Sequence, residues 1–93
     1  MTTLRRAFGE TVRTLRIAAG LSQEKFAQKA RVSRNFQGSV ERGESSLSLD
    51  AADRFARTLN LTLAQLLVEV EKSMTAPDPR SRARIASQHR QRR

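Results

Sequence analysis

The chain contains no cysteine, tryptophan or tyrosine, and only one histidine among its 93 residues. Without cysteine there is neither a disulfide framework nor a thiolate metal site. The lone histidine, His89, stands in a polar stretch near the end, so a histidine cluster for a metal or a catalytic triad lacks its parts. No uninterrupted apolar run approaches membrane-spanning length, and the opening MTTLRRAFGE has no signal-peptide core, so the expected location is cytoplasmic, at the nucleoid. No strand pattern appears anywhere, and hence no strand followed by a glycine-rich phosphate loop. An enzyme is the poorest reading, and neither a cofactor nor a metal is expected.

Positive charge is what the chain has in excess, +9 in formal terms, and it is unevenly placed. Residues 1–43 hold nine Lys/Arg against three acids, and residues 77–93 hold six Arg against Asp78. Residues 44–76 reverse the balance, with three cations against five acids. Two basic ends around an acidic middle suit a polyanion-binding face backed by a face for another contact. Charge that serves only solubility is the plainer alternative.

Helical periodicity runs through residues 1–76. Leu4, Phe8, Val12 and Leu15 form an apolar stripe that predicts a first helix, with Gly20 as its left-handed exit. Ser22 is a natural N-cap for a short second helix that turns Phe26, Ala27 and Ala30 inward. Arg31 and Val32 make the turn. Ser33 caps a third helix, spanning 33–42, with Phe36 and Val40 on its buried side and Arg34, Asn35, Gly38, Ser39 and Arg42 on its open side. Ser48 caps a fourth, carrying Leu49, Ala52, Phe55, Ala56 and Leu59 inward, and Asn60 is its left-handed stop. Thr62 with Gln65 is a capping box, opening a helix striped with Leu63, Leu66, Leu67 and Val70. The expected fold is therefore all-α, a compact five-helix bundle over residues 1–76. Pro77 and Pro79 end helical structure, and residues 77–93 have too little apolar surface to offset the entropy of ordering, so a disordered basic tail is expected.

The run from GLSQ through VSR to ERG, followed by a capped helix and LNLTLAQLL, resembles the lambda-repressor/Cro-like helix-turn-helix family over roughly residues 8–68. That resemblance implies a five-helix domain that binds operator DNA as a homodimer, and it makes the third helix the reading element. A major groove about 12 Å wide admits one helix, whose first turns meet the base edges. The base-contact candidates are thus Ser33, Arg34, Asn35, Gly38 and Ser39. Arg34 has the fork for guanine, and Asn35 the donor–acceptor pair for adenine. An Arg-Asn pair at a helix start is otherwise just a solvated cap. Gln23, Lys25, Arg42, Arg13 and Arg31 are phosphate candidates, with Gln23 also expected to buttress Asn35; Arg13 reads equally as an ordinary surface cation. Arg16 and Glu41 match a family ion pair that is architectural, fixing the third helix on the body.

Three positions depart from the family pattern. Arg31 stands where a glycine usually serves a left-handed backbone. Gln37 stands where a buried aliphatic residue is usual, so it either finds a buried partner or the helix rolls. The loop at Glu44-Ser45-Ser46-Leu47 lacks the usual basic residues and proline, which weakens phosphate contacts there.

The last helix has more apolar residues than one small core needs. Leu61, Leu67, Val68 and Val70 are the candidates for a two-fold dimer interface, and a homodimer would favour a near-palindromic operator with half-sites about 34 Å apart. A thicker monomer core is the alternative. The Arg-rich tail suits added phosphate affinity, with a partner-binding segment or a cloning remnant as equal alternatives. The leading function is a DNA-binding transcriptional regulator of repressor or restriction–modification controller type. The alternatives are an antitoxin that binds a toxin partner and an adaptor that binds RNA or RNA polymerase.

Overall fold

A computed structural model of the protein describes residues 3–75. The boundary expected at residue 76, the basic tail and His89 lie outside them. Among the described residues there are five helices and no strand: α1 Leu4–Ala18, α2 Gln23–Ala30, α3 Arg34–Glu41, α4 Leu49–Thr58 and α5 Leu63–Thr75.

Every helix opens on a hydroxyl cap. The side chains of Thr3, Ser22, Ser33 and Ser48 accept from the backbone N–H three residues on, at 3.0–3.2 Å. At the start of α5 the capping box closes both ways: Gln65 N–H donates to Thr62 Oγ1 at 3.1 Å, and Thr62 N–H donates to Gln65 Oε1 at 2.9 Å. Each such cap contributes about 1 kcal/mol and fixes where its helix begins. The exits are as regular. Gly20, Gly43, Arg31 and Asn60 all take positive φ, at 75°, 75°, 61° and 61°.

The helices wrap one core. Phe26 and Phe55 meet edge to face with ring centroids 5.2 Å apart, and the Phe8 ring centroid lies 6.3 Å from that of Phe55. Ala7, Val12, Ala30, Val40, Ala56, Leu66 and Val70 close around them, with almost no surface left to water. α1 packs on α3 and α5, and α2 packs on α3 and α4. At the crossing of α1 and α3 the backbones nearly touch, for a Cβ at Gly9 would collide with the Val40 carbonyl oxygen.

The structure corrects several inward assignments. Leu4 is 57% exposed and Leu49 is 78% exposed. Each opens its helix, and side chains lean toward a helix's N-terminus, so a first-turn residue overhangs the packed body. Phe36 is only half-buried, while Gln37 is fully buried beside Val40. Gly38 is buried, not open, because neighbouring side chains lie across it. Val70, assigned to a dimer face, is completely buried in its own core. It shares the inward stripe of α5 with Leu66, four residues back, and cannot touch a second copy. Leu61 and Leu67 are half-buried against the core, and Val68 is 47% exposed.

Candidate nucleic-acid interface

α2, the turn at Arg31-Val32, and α3 form a unit whose outer side carries most of the expected contacts. Arg34 and Asn35, in the first turn of α3, are both exposed. They point outward because Ser33, spent on the Phe36 N–H, starts the helix there. No acid occupies that first turn, so the positive end of the helix dipole adds to Arg34. Ser39 is half-buried and tied inward: its hydroxyl donates to the Phe36 carbonyl at 3.2 Å and lies 2.6 Å from Ser45 Oγ. Lys25 and Arg31 are exposed on the same unit, and Arg13 is exposed on α1. Arg42 lies at the far end of α3, its Nε donating to Glu44 Oε1 at 3.1 Å. The lone acid of that loop thus partly neutralises one phosphate candidate.

The turn takes the left-handed conformation that glycine usually serves, with Arg31 in it at φ 61° and ψ 44°. That conformation costs about 1 kcal/mol relative to glycine. It leaves the Arg31 side chain in solvent beside the start of α3.

Behind the exposed face stands a buried polar cluster centred on Glu41. Arg16 Nε donates to Glu41 Oε2 at 2.7 Å and Arg16 Nη2 donates to Oε1 at 3.0 Å, a two-pronged contact between α1 and α3. Arg16 Nη1 also donates to the Leu21 carbonyl at 2.8 Å, holding the entry to α2. Gln37 Nε2 donates to Glu41 Oε2 at 2.8 Å, and Gln23 Nε2 donates to Oε1 at 3.1 Å. The carboxylate therefore accepts four hydrogen bonds from three helices. Burial opposes its ionisation, but donation from Arg16, Gln37 and Gln23, with the Arg16 charge, outweighs that and holds its pKa below the ordinary value. The ion pair expected from the sequence is in place, and Gln37 has its partner. Gln37 Oε1 nevertheless stays buried without a hydrogen bond. Gln23 buttresses Glu41 rather than Asn35, because its amide nitrogen is committed to the carboxylate.

Two structural contacts carry little sequence signal. Arg54 Nε on α4 donates to the Ala30 carbonyl at 2.9 Å, satisfying the open end of α2. A lone arginine on an amphipathic helix does not announce such a reach. Gly9 carries only the faint signal of a glycine inside a helical pattern, which costs about 1 kcal/mol relative to alanine without saying what it packs against.

Residues 7–67 match the helix-turn-helix domain family. The chain belongs to that family. It is of the lambda-repressor/Cro type, a family of DNA-binding transcriptional regulators and not of enzymes. Among solved structures, this helix-turn-helix chain is similar to the restriction-modification controller protein C.AhdI from Aeromonas hydrophila. The two are 38% identical, the match covers 66% of this chain and 92% of that one, and the TM-score is 0.63. It is also similar to ClgR, the clp gene regulator from Corynebacterium glutamicum, at 28% identity over 82% of this chain and 99% of that one, with a TM-score of 0.75. The wild-type controller C.Esp1396I shares the fold at 18% identity, covering 80% and 96% of the two chains with a TM-score of 0.72. No curated protein sequence matches. No helix among the described residues is long and apolar enough to cross a membrane.

Proposed function

We propose that this protein is a sequence-specific transcriptional regulator that reads duplex DNA with α3, acting as a homodimer of the controller or repressor type. The observation that carries the reading is the exposed Arg34-Asn35 pair on a helix start held rigidly from behind by Glu41 and Arg16. Arg34 then engages a guanine and Asn35 an adenine, each discriminating by about 1–3 kcal/mol. Lys25, Arg31 and Arg13 supply phosphate contacts, which position the helix without reading sequence. The likeness to C.AhdI favours the controller type.

The dimer rests on apolar surface that one chain leaves uncovered. Leu4 and Leu49 flank a groove of about 250 Å³ floored by Phe8, Leu63 and Leu67, and Val68 lies exposed on the same helix as the last two. Arg5 lines this groove without an ion pair among the described residues, and Asp50, exposed and likewise unpaired among them, follows Leu49 on α4, so a two-fold contact can pair the two across the axis. The same surface supports a second reading, in which a toxin partner covers it and the protein is an antitoxin.

Selection of bound duplexes from a random pool tests the function. The expected product is a near-palindromic site that outcompetes random duplex by at least ~10³-fold at moderate salt. A protein that binds all duplexes alike refutes it. Sedimentation of the purified chain separates the readings of the apolar face, with a dimer expected and a stable monomer counting against it.

A further inference from the structure

The middle of α3 holds a second arrangement of polar groups, over Gly38. A Cβ built at Gly38 would lie 3.1 Å from Arg42 Nη1 and 3.9 Å from Gln23 Oε1. With no side chain at 38, the arginine one turn on folds back across the helix and ends beside the first residue of α2. Both side chains are held there by carboxylates. Glu41, an acceptor only while ionised, takes the Gln23 amide nitrogen, so the group that Gln23 leaves outward is its carbonyl oxygen. The alternative amide orientation would set oxygen against oxygen. Glu44 takes Arg42 Nε, which leaves Nη1 over the glycine. An acceptor and a donor, each within 4 Å of the place a side chain at 38 would take, therefore lie over the glycine.

An outward acceptor is a poor partner for a phosphate, which carries only acceptors itself. A donor beside an acceptor matches the major-groove edge of adenine, where N6 donates and N7 accepts. We propose that Gln23 Oε1 and Arg42 Nη1, seated over Gly38, form a composite site that reads the edge of an adenine, a specificity element separate from Arg34 and Asn35. Gln23 accepts from N6 and Arg42 donates to N7, while Glu41 and Glu44 act as positioning residues. The proposal rests on the reading of α3 as a major-groove helix. It replaces phosphate contact by Gln23 with base contact, and changes Arg42 from a general cation to a directed one.

The test starts from the duplex selected by the unaltered protein and measures competition by duplexes substituted one base pair at a time. The expected result is one A·T pair whose replacement weakens binding roughly tenfold to a hundredfold and whose discrimination vanishes in Gln23→Lys. Lysine keeps a donor for Glu41 and offers one to phosphate, but has no acceptor. Gly38→Ala should lose discrimination at that same pair by displacing Arg42, without lowering the melting temperature, since alanine favours a helix over glycine. Arg42→Ala should behave likewise at that pair. If Gln23→Lys keeps every base preference, or if the three variants weaken all duplexes uniformly, the composite site is wrong while the role of α3 stands. If the unaltered protein selects no duplex, the major-groove reading fails, and this site fails with it.

Discussion

Arg16→Met is the sharpest perturbation of the support behind the DNA face. Methionine keeps much of the apolar stem but removes all three hydrogen bonds that Arg16 makes. Glu41 then keeps only Gln23 and Gln37 as donors, with its charge still buried. Stranding one partner of a buried pair costs about 3–5 kcal/mol. Native stability runs at about 0.05–0.15 kcal/mol per residue, on the order of 4–11 kcal/mol across residues 3–75. The substitution should thus remove about a quarter or more of the total and lower Tm by at least about 12 °C, read by circular dichroism during heating and in urea. Adding Glu41→Leu removes the buried charge but strips Gln37 of its one partner, so recovery should be partial; adding Gln37→Leu as well should restore most of the stability. The pH response has a definite sign. Because the Glu41 pKa is lowered on folding, the folded state binds fewer protons than the unfolded one through the acid range. Its contribution is complete above the ordinary carboxylate pKa and is lost as pH falls through the folded value. Arg16→Met should shift that loss to higher pH. A cost below about 1 kcal/mol, with no change in the acid limb, would mean the pair behaves like an exposed surface pair and would refute the reasoning.

Three other outcomes follow from single positions. Arg31→Gly relieves the left-handed residue and should raise stability by about 1 kcal/mol in urea titrations, while reducing the salt dependence of DNA binding. Gly9→Ala should force α1 away from α3, seen as a loss of Tm far larger than for alanine at an exposed helical position such as Thr14→Ala. Leu49→Asp or Val68→Asp should convert a dimer to a folded monomer by sedimentation, whereas Val70→Asp should unfold the chain, since Val70 has no exposed surface.

The helix starts were legible because their signal is chemical and local. A serine or threonine ahead of an apolar stripe has one favourable use for its oxygen, and the four starts expected at Ser22, Ser33, Ser48 and Thr62 take it, while the cap of α1 at Thr3 is one that the stripe alone does not single out. The left-handed exits at Gly20 and Asn60 are legible for the same kind of reason. Arg16–Glu41 was not legible from spacing: 25 positions apart, the two come together only in the folded bundle, and it was the family resemblance that joined them. Periodicity failed at Leu4 and Leu49 because a stripe gives direction around a helix, not depth along it. It failed at Gln37 for another reason. A polar side chain on the inward face looks like an error until Glu41, one turn on, supplies an acceptor. Periodicity puts Gly38 and Arg42 both on the open side of α3, but that one lies folded over the other depends on side-chain course, which sequence does not carry.

The distribution of unpaired charge separates two layers of recognition. Five ion pairs form among the described residues, and they engage Glu10, Glu41, Glu44, Asp53 and Glu69. Of the remaining acids there, Asp50 and Glu71 lie on α4 and α5, with Glu24 alone on the helix-turn-helix side, whereas Arg13, Lys25, Lys29, Arg31 and Arg34 all remain unpaired on α1, α2, the turn or α3. An approaching duplex meets this excess cation before any base edge is within reach, and that attraction fades within about 8 Å at physiological ionic strength. Base edges matter only at contact. The two layers should therefore separate under substitution. Lys25→Gln, away from any base edge, should weaken all duplexes by a similar factor and reduce the slope of log affinity against log salt by about one. Arg34→Ala should add to a similar loss a relaxed preference at one base pair, worth about 1–3 kcal/mol. Titrations of the selected and a scrambled duplex at several salt concentrations distinguish them. If Arg34→Ala shifts both duplexes in parallel, Arg34 binds phosphate, and base reading by the first turn of α3 must rest on Asn35.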